Sequence, residues 1–162
     1  AIIGPHDYVP SRLGRTLLDY AHGRLRAYAP GGFEFVNVGD LVEGHLLAME
    51  RGRPGQRYLL STEYLTVDRL LGLFAEVTGR ARRPLRIPGP VLEGAAVTTD
   101  ACVRLLRLRT EQRFTPAAVR FLRMGRRADI GKARRELGYR PTTIAEAVAA
   151  AHACFGRRGL LR

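Results

Sequence analysis

The stretch Phe33-Glu34-Phe35-Val36-Asn37-Val38-Gly39-Asp40 constrains the fold more than any other in this chain. Residues 33–38 alternate as a β-strand does, with Val36 and Val38 on one face and Phe33 and Phe35 on the other. Asp40 then reads as the N-cap of a helix reaching about Arg51, a role that fits it better than that of a catalytic acid. Leu41, Val42, His45, Leu46 and Met49 are spaced for one face of that helix, which makes His45 a core histidine. A strand that passes so quickly into a helix marks the chain as α/β.

The same punctuation recurs. Residues 1–3 read as the end of a strand, so the chain is expected to continue a longer one. Ser11 is placed to cap a helix reaching about Tyr28, although Gly14 and Gly23 weaken it. Residues 29–32 form a turn and residues 57–60 a short strand. Thr66 caps a helix over residues 67–78, ended by Gly79. Residues 85–87 are extended, residues 90–109 helical, and Thr115-Pro116 opens a further helix. Asp129 caps the helix that carries Lys132 and Leu137, and Gly138 stops it. Thr143 with Glu146 three residues on is a capping box for a last helix to about Phe155. There is no repeat, low-complexity tract or linker. The expectation is one mixed α/β domain, mostly helical, with a few short strands.

Composition excludes several classes. No apolar run approaches the ~20 residues of a membrane span, and the start breaks into Gly4-Pro5-His6-Asp7 before a signal peptide could form. Cys102 and Cys154 are far apart and make no CxxC, as in a cytoplasmic protein with reduced thiols. His152-x-Cys154 lacks the second ligand pair a metal would need. The net charge of +12 invites a nucleic-acid reading. The arginines are scattered, however, and their tightest groups (Arg80, Arg82, Arg83; Arg104, Arg107, Arg109; Arg123, Arg126, Arg127) have no interleaved aromatics. They read as solvated faces, with no specific nucleic-acid partner. Gly125…Gly131-Lys132 imitates a phosphate loop, but it has five intervening residues and Ala133 where Ser or Thr is needed.

Five stretches taken in order carry a resemblance: Ile3-Gly4-Pro5-His6-Asp7, Phe35-Val36-Asn37-Val38-Gly39-Asp40, Gly44-His45-Leu46-Leu47-Ala48-Met49-Glu50, Gly55-Gln56-Arg57-Tyr58-Leu59-Leu60, and the closing run from Lys132 through Glu136-Leu137-Gly138-Tyr139-Arg140-Pro141. Together they resemble the C-terminal half of extended short-chain dehydrogenases/reductases, the NAD-dependent epimerase/dehydratase superfamily. The nearest branches are the dihydroflavonol-reductase-like and hopanoid-associated epimerase-like members. The resemblance implies a substrate-binding lobe of a Rossmann-type reductase, with residues 1–60 continuing the nucleotide-binding half and residues 61–162 forming a helical cap. It implies NAD or NADP as cofactor, held mainly by an N-terminal lobe that these residues do not include. Dimers of the parent would pair through helices of that missing lobe.

The redox machinery of the family is absent. Neither GxGxxG nor GxxGxxG occurs, so no Gly-rich turn meets a pyrophosphate. None of the six tyrosines is followed four residues on by lysine, so the Tyr-x-x-x-Lys pair is missing and no catalytic residue is assigned. By resemblance, Pro5 lies against the cofactor and His6 and Tyr8 line the substrate pocket. Phe33 and Phe35 line it from the central strand, and Arg113 reaches it from a loop. Sugar-nucleotide epimerases carry a phosphate-gripping arginine where Phe33 stands. A benzyl group makes no such contact, which favours an apolar or aromatic small molecule over a sugar nucleotide. The chain is thus expected to position a small carbonyl or alcohol substrate and to be inactive alone. Two alternatives remain: a free-standing module docking on a separate nucleotide-binding chain through an apolar strip, and, less favoured, a basic nucleic-acid binder. For the strip the candidates are residues 1–3, the first helix and residues 33–38.

Overall fold

The computed structural model describes residues 1–88, 91, 122 and 124–161. The expected helices over residues 90–109 and after Thr115, together with Arg113 and Cys102, lie outside them. Among the described residues the fold is mixed α/β, with five helices and a few short strands.

A central sheet has the order β1-β3-β4, from β1 (Ile2–Ile3), β3 (Gly32–Asn37) and β4 (Glu63–Thr66). β1 runs parallel to β3, with Ile2 opposite Val36. β4 runs antiparallel, with Phe35 opposite Glu63 and Gly32 opposite Thr66. A second pair is formed by β2 (Ala27–Tyr28) and β5 (Leu85–Arg86) in parallel. The helices are α1 (Arg12–Ala21), α2 (Val38–Arg51), α3 (Val67–Thr78), α4 (Gly131–Leu137) and α5 (Ile144–Arg157). None of these is long and apolar enough to cross a membrane.

Local capping chemistry sets most helix ends where the sequence puts them. The Ser11 hydroxyl accepts from Gly14 N at 3.1 Å, and Thr66 Oγ1 from Arg69 N at 3.2 Å. Thr143 and Glu146 close the capping box. Gly79 and Gly138 end α3 and α4 at φ 64° and 76°, a left-handed turn that costs glycine least.

Four expectations are corrected. First, α1 stops at Ala21 and not near Tyr28. The Ala21 carbonyl is capped by the guanidiniums of Arg80 and Arg82, at 3.0 and 3.2 Å, and the chain turns away at Gly23. Second, α2 is capped by Asn37, whose Oδ1 accepts from Gly39 N at 3.1 Å. Asp40 lies in the first turn, buried. Asp129 likewise stands one residue ahead of the cap of α4, and its Oδ1 accepts from Gly131 N at 2.7 Å. Third, residues 57–60 are not a strand. Tyr58 and Leu60 pack on Ala133, Leu137 and Tyr139, and pairing with β3 begins only with Thr62 N donating to the Phe35 carbonyl.

The fourth correction concerns the face of α2. Gly44 and Asp40 are its buried residues, with Leu60 lying close on the Gly44 backbone. The stripe read as core is turned outward: Val42 is 56% exposed, Leu46 53% and Met49 83%. His45 is exposed too, its Nδ1 donating to the Leu41 carbonyl at 2.7 Å.

One main core joins the two halves of the chain. Leu17 and Tyr20 of α1, Phe35 of β3, Leu70 and Phe74 of α3, and Ile144, Val148 and Phe155 of α5 bury together. Leu17, Phe35, Phe74, Ile144 and Val148 are fully inaccessible, so the sheet is fixed between α1, α3 and α5. That arrangement positions the loops after β1 and before α4.

Candidate functional site

Two cavities flank β1; of the residues singled out from sequence, Pro5 and His6 line the first and Phe33 the second. The first, about 220 Å³, is lined by Pro5, His6, Asp7, Gly14, Val38 and Phe155 among others. The turn from β1 to α1 builds it. A Cβ on Gly4 would collide with the Val38 side chain, so only glycine lets the chain leave the strand this close to α2. His6 then takes φ 67°, the one non-glycine residue with positive φ among those described. Such a conformation costs of order 1–3 kcal/mol and is held by its surroundings. His6 N donates to Cys154 Sγ at 3.4 Å, and Tyr8 N to the His6 carbonyl at 2.9 Å. Asp7 accepts from Ser11 N and from its hydroxyl at 2.8–2.9 Å.

This strained turn brings His6 Nδ1 within 2.8 Å of the Tyr8 hydroxyl. Arg158 lies 5.2 Å above the Tyr8 ring and donates to the Asp7 carbonyl. Tyr8 itself is 61% exposed and stands outside the cavity wall. The imidazole–phenol pair is a hydrogen-bonding unit able to meet a hydroxyl or carbonyl at the protein surface.

The second cavity, about 280 Å³, is lined by Phe33, Glu34, Met124, Arg126, Arg127 and Ala128 together with Ala1 and Gly32. Phe33 stacks on Phe35 with centroids 4.4 Å apart and planes inclined 26°. Phe35 is fully buried and supports Phe33 from beneath, and is not itself among the lining residues. Glu34 ties the segment before α4 to the strand: its Oε1 accepts from Ala128 N at 2.7 Å and its Oε2 from the Ser61 hydroxyl at 2.6 Å. Arg127 lies 5.2 Å over the Tyr64 ring. In sequence Arg126 and Arg127 belong to a scattered, solvated group, and nothing local marks Glu34 or Met124. The available signal was Phe33 itself, a strand position emptied of charge. Arg113 lies outside the described residues.

The closing run Lys132–Pro141 is a clasp, not a ligand site. Glu136 is held by Arg53 at 2.7 Å and by the Tyr58 hydroxyl at 2.8 Å, and the Tyr58 and Arg53 hydrogen bonds keep its carboxyl below the usual glutamate range. Arg51 donates to the Leu137 carbonyl at 3.1 Å. The buried Asp40 carboxylate accepts from Thr142 N and its hydroxyl at 2.9 Å each and from the Thr62 hydroxyl at 3.2 Å, binding α2 to the α4–α5 connection. The Tyr139 hydroxyl is buried beside this hub without a hydrogen-bond partner. Burial, and then the charges of Asp40 and Glu43, push its ionisation up to about 12 against the weaker, opposite influence of the Thr62 side chain nearby.

Comparison with known proteins defines the class. The chain is 44% identical over 161 residues to sterol demethylase protein B of Methylococcus capsulatus, covering 99% of this chain and 49% of that protein. It is 33% identical over 81 residues to a dihydroflavonol 4-reductase-like protein of Synechocystis, covering 48% of the chain and 24% of the relative. The solved structure of a nucleoside-diphosphate-sugar epimerase from Pseudomonas aeruginosa superposes with a TM-score of 0.73 at 26% identity, over 99% of this chain and 47% of that one. No family model matches the chain. The homologues and structural neighbours are members of the NAD-dependent epimerase/dehydratase superfamily, and this chain matches the C-terminal part of such longer proteins. It spans about half the length of the relatives it matches over its full extent.

Proposed function

We propose that this chain is the substrate-binding part of an NAD(P)-dependent oxidoreductase or epimerase. It positions a small carbonyl or alcohol substrate beside a nicotinamide held by another part of a longer polypeptide. The observation that carries this reading is the match of 99% of the chain to 49% of a relative, in a sequence without the Gly-rich fingerprint or the Tyr-x-x-x-Lys pair. Bound NAD(P) supplies or accepts the hydride. The residues present suit only the nicotinamide end: Pro5 and His6 border an open cavity of about 220 Å³, and no run of glycine amides offers a pyrophosphate cradle.

In this reading His6, with Tyr8 beside it at the surface, holds the substrate oxygen at the first cavity, and Phe33, backed by Phe35, supplies an apolar wall to the second, on the other side of β1. Holding the reacting groups in line lowers the barrier by removing translational and rotational freedom in advance. An apolar ring system is the favoured substrate class, supported by Phe33 and by a relative named for sterol demethylation. The nucleotide-binding part would dock on the outward face of α2, at Val42, Leu46 and Met49, and along the open edge of β1 at Ile2, which is 52% exposed. A separate nucleotide-binding chain would use the same surface. The buried thiol of Cys154 goes with a cytoplasmic setting.

The test joins this chain to the nucleotide-binding half of the Methylococcus relative. The chimera should oxidise an apolar alcohol with NAD(P), while the 162 residues alone show no turnover. Turnover by the isolated chain would overturn the reading, as would a soluble, cofactor-loaded chimera with no activity on apolar alcohols or ketones.

A further inference from the structure

We infer that Arg158 is a positioning residue for the substrate oxygen: from the end of α5 it seats Tyr8, and Tyr8 fixes the His6 imidazole with Nε2–H as the donor to that oxygen. This rests on the reading of His6 as the group that holds the oxygen, and it names what holds His6.

The end of α5 shapes the turn that carries His6. Cys154 Sγ accepts from His6 N at 3.4 Å. Arg158 Nη1 donates to the Asp7 carbonyl at 3.2 Å, and the guanidinium carbon lies 5.2 Å from the centre of the Tyr8 ring. α1 supplies the other side. Gly14 has no Cβ where the Asp7 carboxylate sits, and that carboxylate accepts from Ser11 N and from its hydroxyl. Asp7 is thus held twice, its carbonyl by α5 and its carboxylate by α1, and His6 and Tyr8 stand on either side of it. Tyr8 is 61% exposed, so burial does little to fix its ring. The cation over the ring face and the bond to the neighbouring carbonyl do so instead.

His6 Nδ1 then meets the Tyr8 hydroxyl at 2.8 Å, with the two ring planes inclined 50°. A phenol is the better donor of the two and a neutral imidazole nitrogen the better acceptor, so the phenol proton lies toward Nδ1. The ring's own proton is then on Nε2. A carbonyl or alkoxide oxygen needs a donor, and Nε2–H is one. Without Tyr8 the imidazole turns about its side-chain bonds and its proton exchanges between the two nitrogens, so the donor is no longer held in line with the reacting group. An arginine 151 positions from Asp7 acts on the oxygen in this way without touching it.

The experiment has two readouts. Nitrogen-15 spectra of the 162-residue chain resolve the ring nitrogens of its four histidines, with His6 assigned through His6→Gln, at about pH 8 where imidazole is neutral. His6 should show Nδ1 as a hydrogen-bonded acceptor and Nε2 as protonated. Tyr8→Phe and Arg158→Gln, both at exposed side chains, should move the Nδ1 signal the same way, toward that of an unpaired ring. Arg158→Lys keeps a cation and a donor and should return the signal most of the way. In the chimera with the nucleotide-binding half of the Methylococcus relative, Arg158→Gln should lower kcat roughly tenfold with KM within about twofold, as loss of orientation does, and Arg158→Lys should recover most of the rate. An Nδ1 signal unmoved by either Tyr8→Phe or Arg158→Gln overturns this inference and leaves the substrate-binding reading standing. A moved signal with an unchanged kcat overturns it as well, because the pair then does not serve the oxygen. A cofactor-loaded chimera with no activity overturns both.

Discussion

Tyr139→Phe should make this protein more stable, although it alters the closing Leu137-Gly138-Tyr139 run. Tyr139 is 1% exposed and packs with Ala133 and Leu137 against Leu47 and Leu60. Phenylalanine keeps that ring packing. What it removes is a buried hydroxyl that makes no hydrogen bond of normal geometry, with the Thr62 side chain only a weak neighbour, and a buried polar group left so poorly paired costs about 1–3 kcal/mol. Allowing for the small void left behind, the expected gain at pH 7 is about 1 kcal/mol, or a rise of about 3 °C in Tm for a chain of this size.

The pH dependence sharpens the prediction. Burial, with Asp40 and Glu43 nearby, raises the phenol to about 12 in the folded protein, against 10.0 for the free group. From pH 10 upward the unfolded chain releases this proton first. The stability associated with Tyr139 is therefore fully present below about pH 10 and is lost as pH rises toward 12, up to about 2–3 kcal/mol in all. Other titrating groups behave alike in the two proteins, so the difference between them isolates this one. Urea unfolding followed by circular dichroism at pH 7, 9, 10 and 11 should show the phenylalanine variant ahead by about 1 kcal/mol at neutral pH, with a margin that widens above pH 10. A variant less stable than the parent at pH 7, with a margin that stays flat to pH 11, would refute the reasoning and show that the hydroxyl is bonded.

Two further outcomes follow from the same packing. Asp40→Asn should cost about 2–3 kcal/mol in urea unfolding, because one carboxylate oxygen accepts three hydrogen bonds at 4% exposure and an amide reproduces them poorly; a loss below 0.5 kcal/mol would show that the hub does not hold α2 in place. The isolated chain should self-associate through the outward face of α2, and Leu46→Lys should raise the monomer fraction in sedimentation velocity without lowering Tm; an unchanged distribution would mean that this face is inert.

The legible part of this fold was the part written in three or four consecutive residues. Ser11, Thr66, Thr143 with Glu146, Gly79 and Gly138 each satisfy or release backbone groups within a turn of themselves, so their effect needs no partner from elsewhere in the chain. The alternation over residues 33–38 likewise announced β3 before its neighbours were known. The family resemblance carried the overall class, because five short stretches in order are a property of the string alone.

Contacts between distant segments decided the rest. Which side of α2 faces inward was set by Leu60 lying on Gly44 and by Thr142 reaching Asp40; an apolar stripe cannot by itself say whether anything packs on it. The end of α1 was set by arginines some sixty residues on. Residues 57–60 were drawn from sheet to clasp by α4. The approach of Arg126 and Arg127 to Phe33 is fixed by contacts such as the bond between Glu34 and the amide of Ala128, 94 positions apart, and the Tyr64 ring beneath Arg127. Helix ends are short-range electrostatics and sterics, readable locally, whereas buried faces and cavities exist only once separate elements have met.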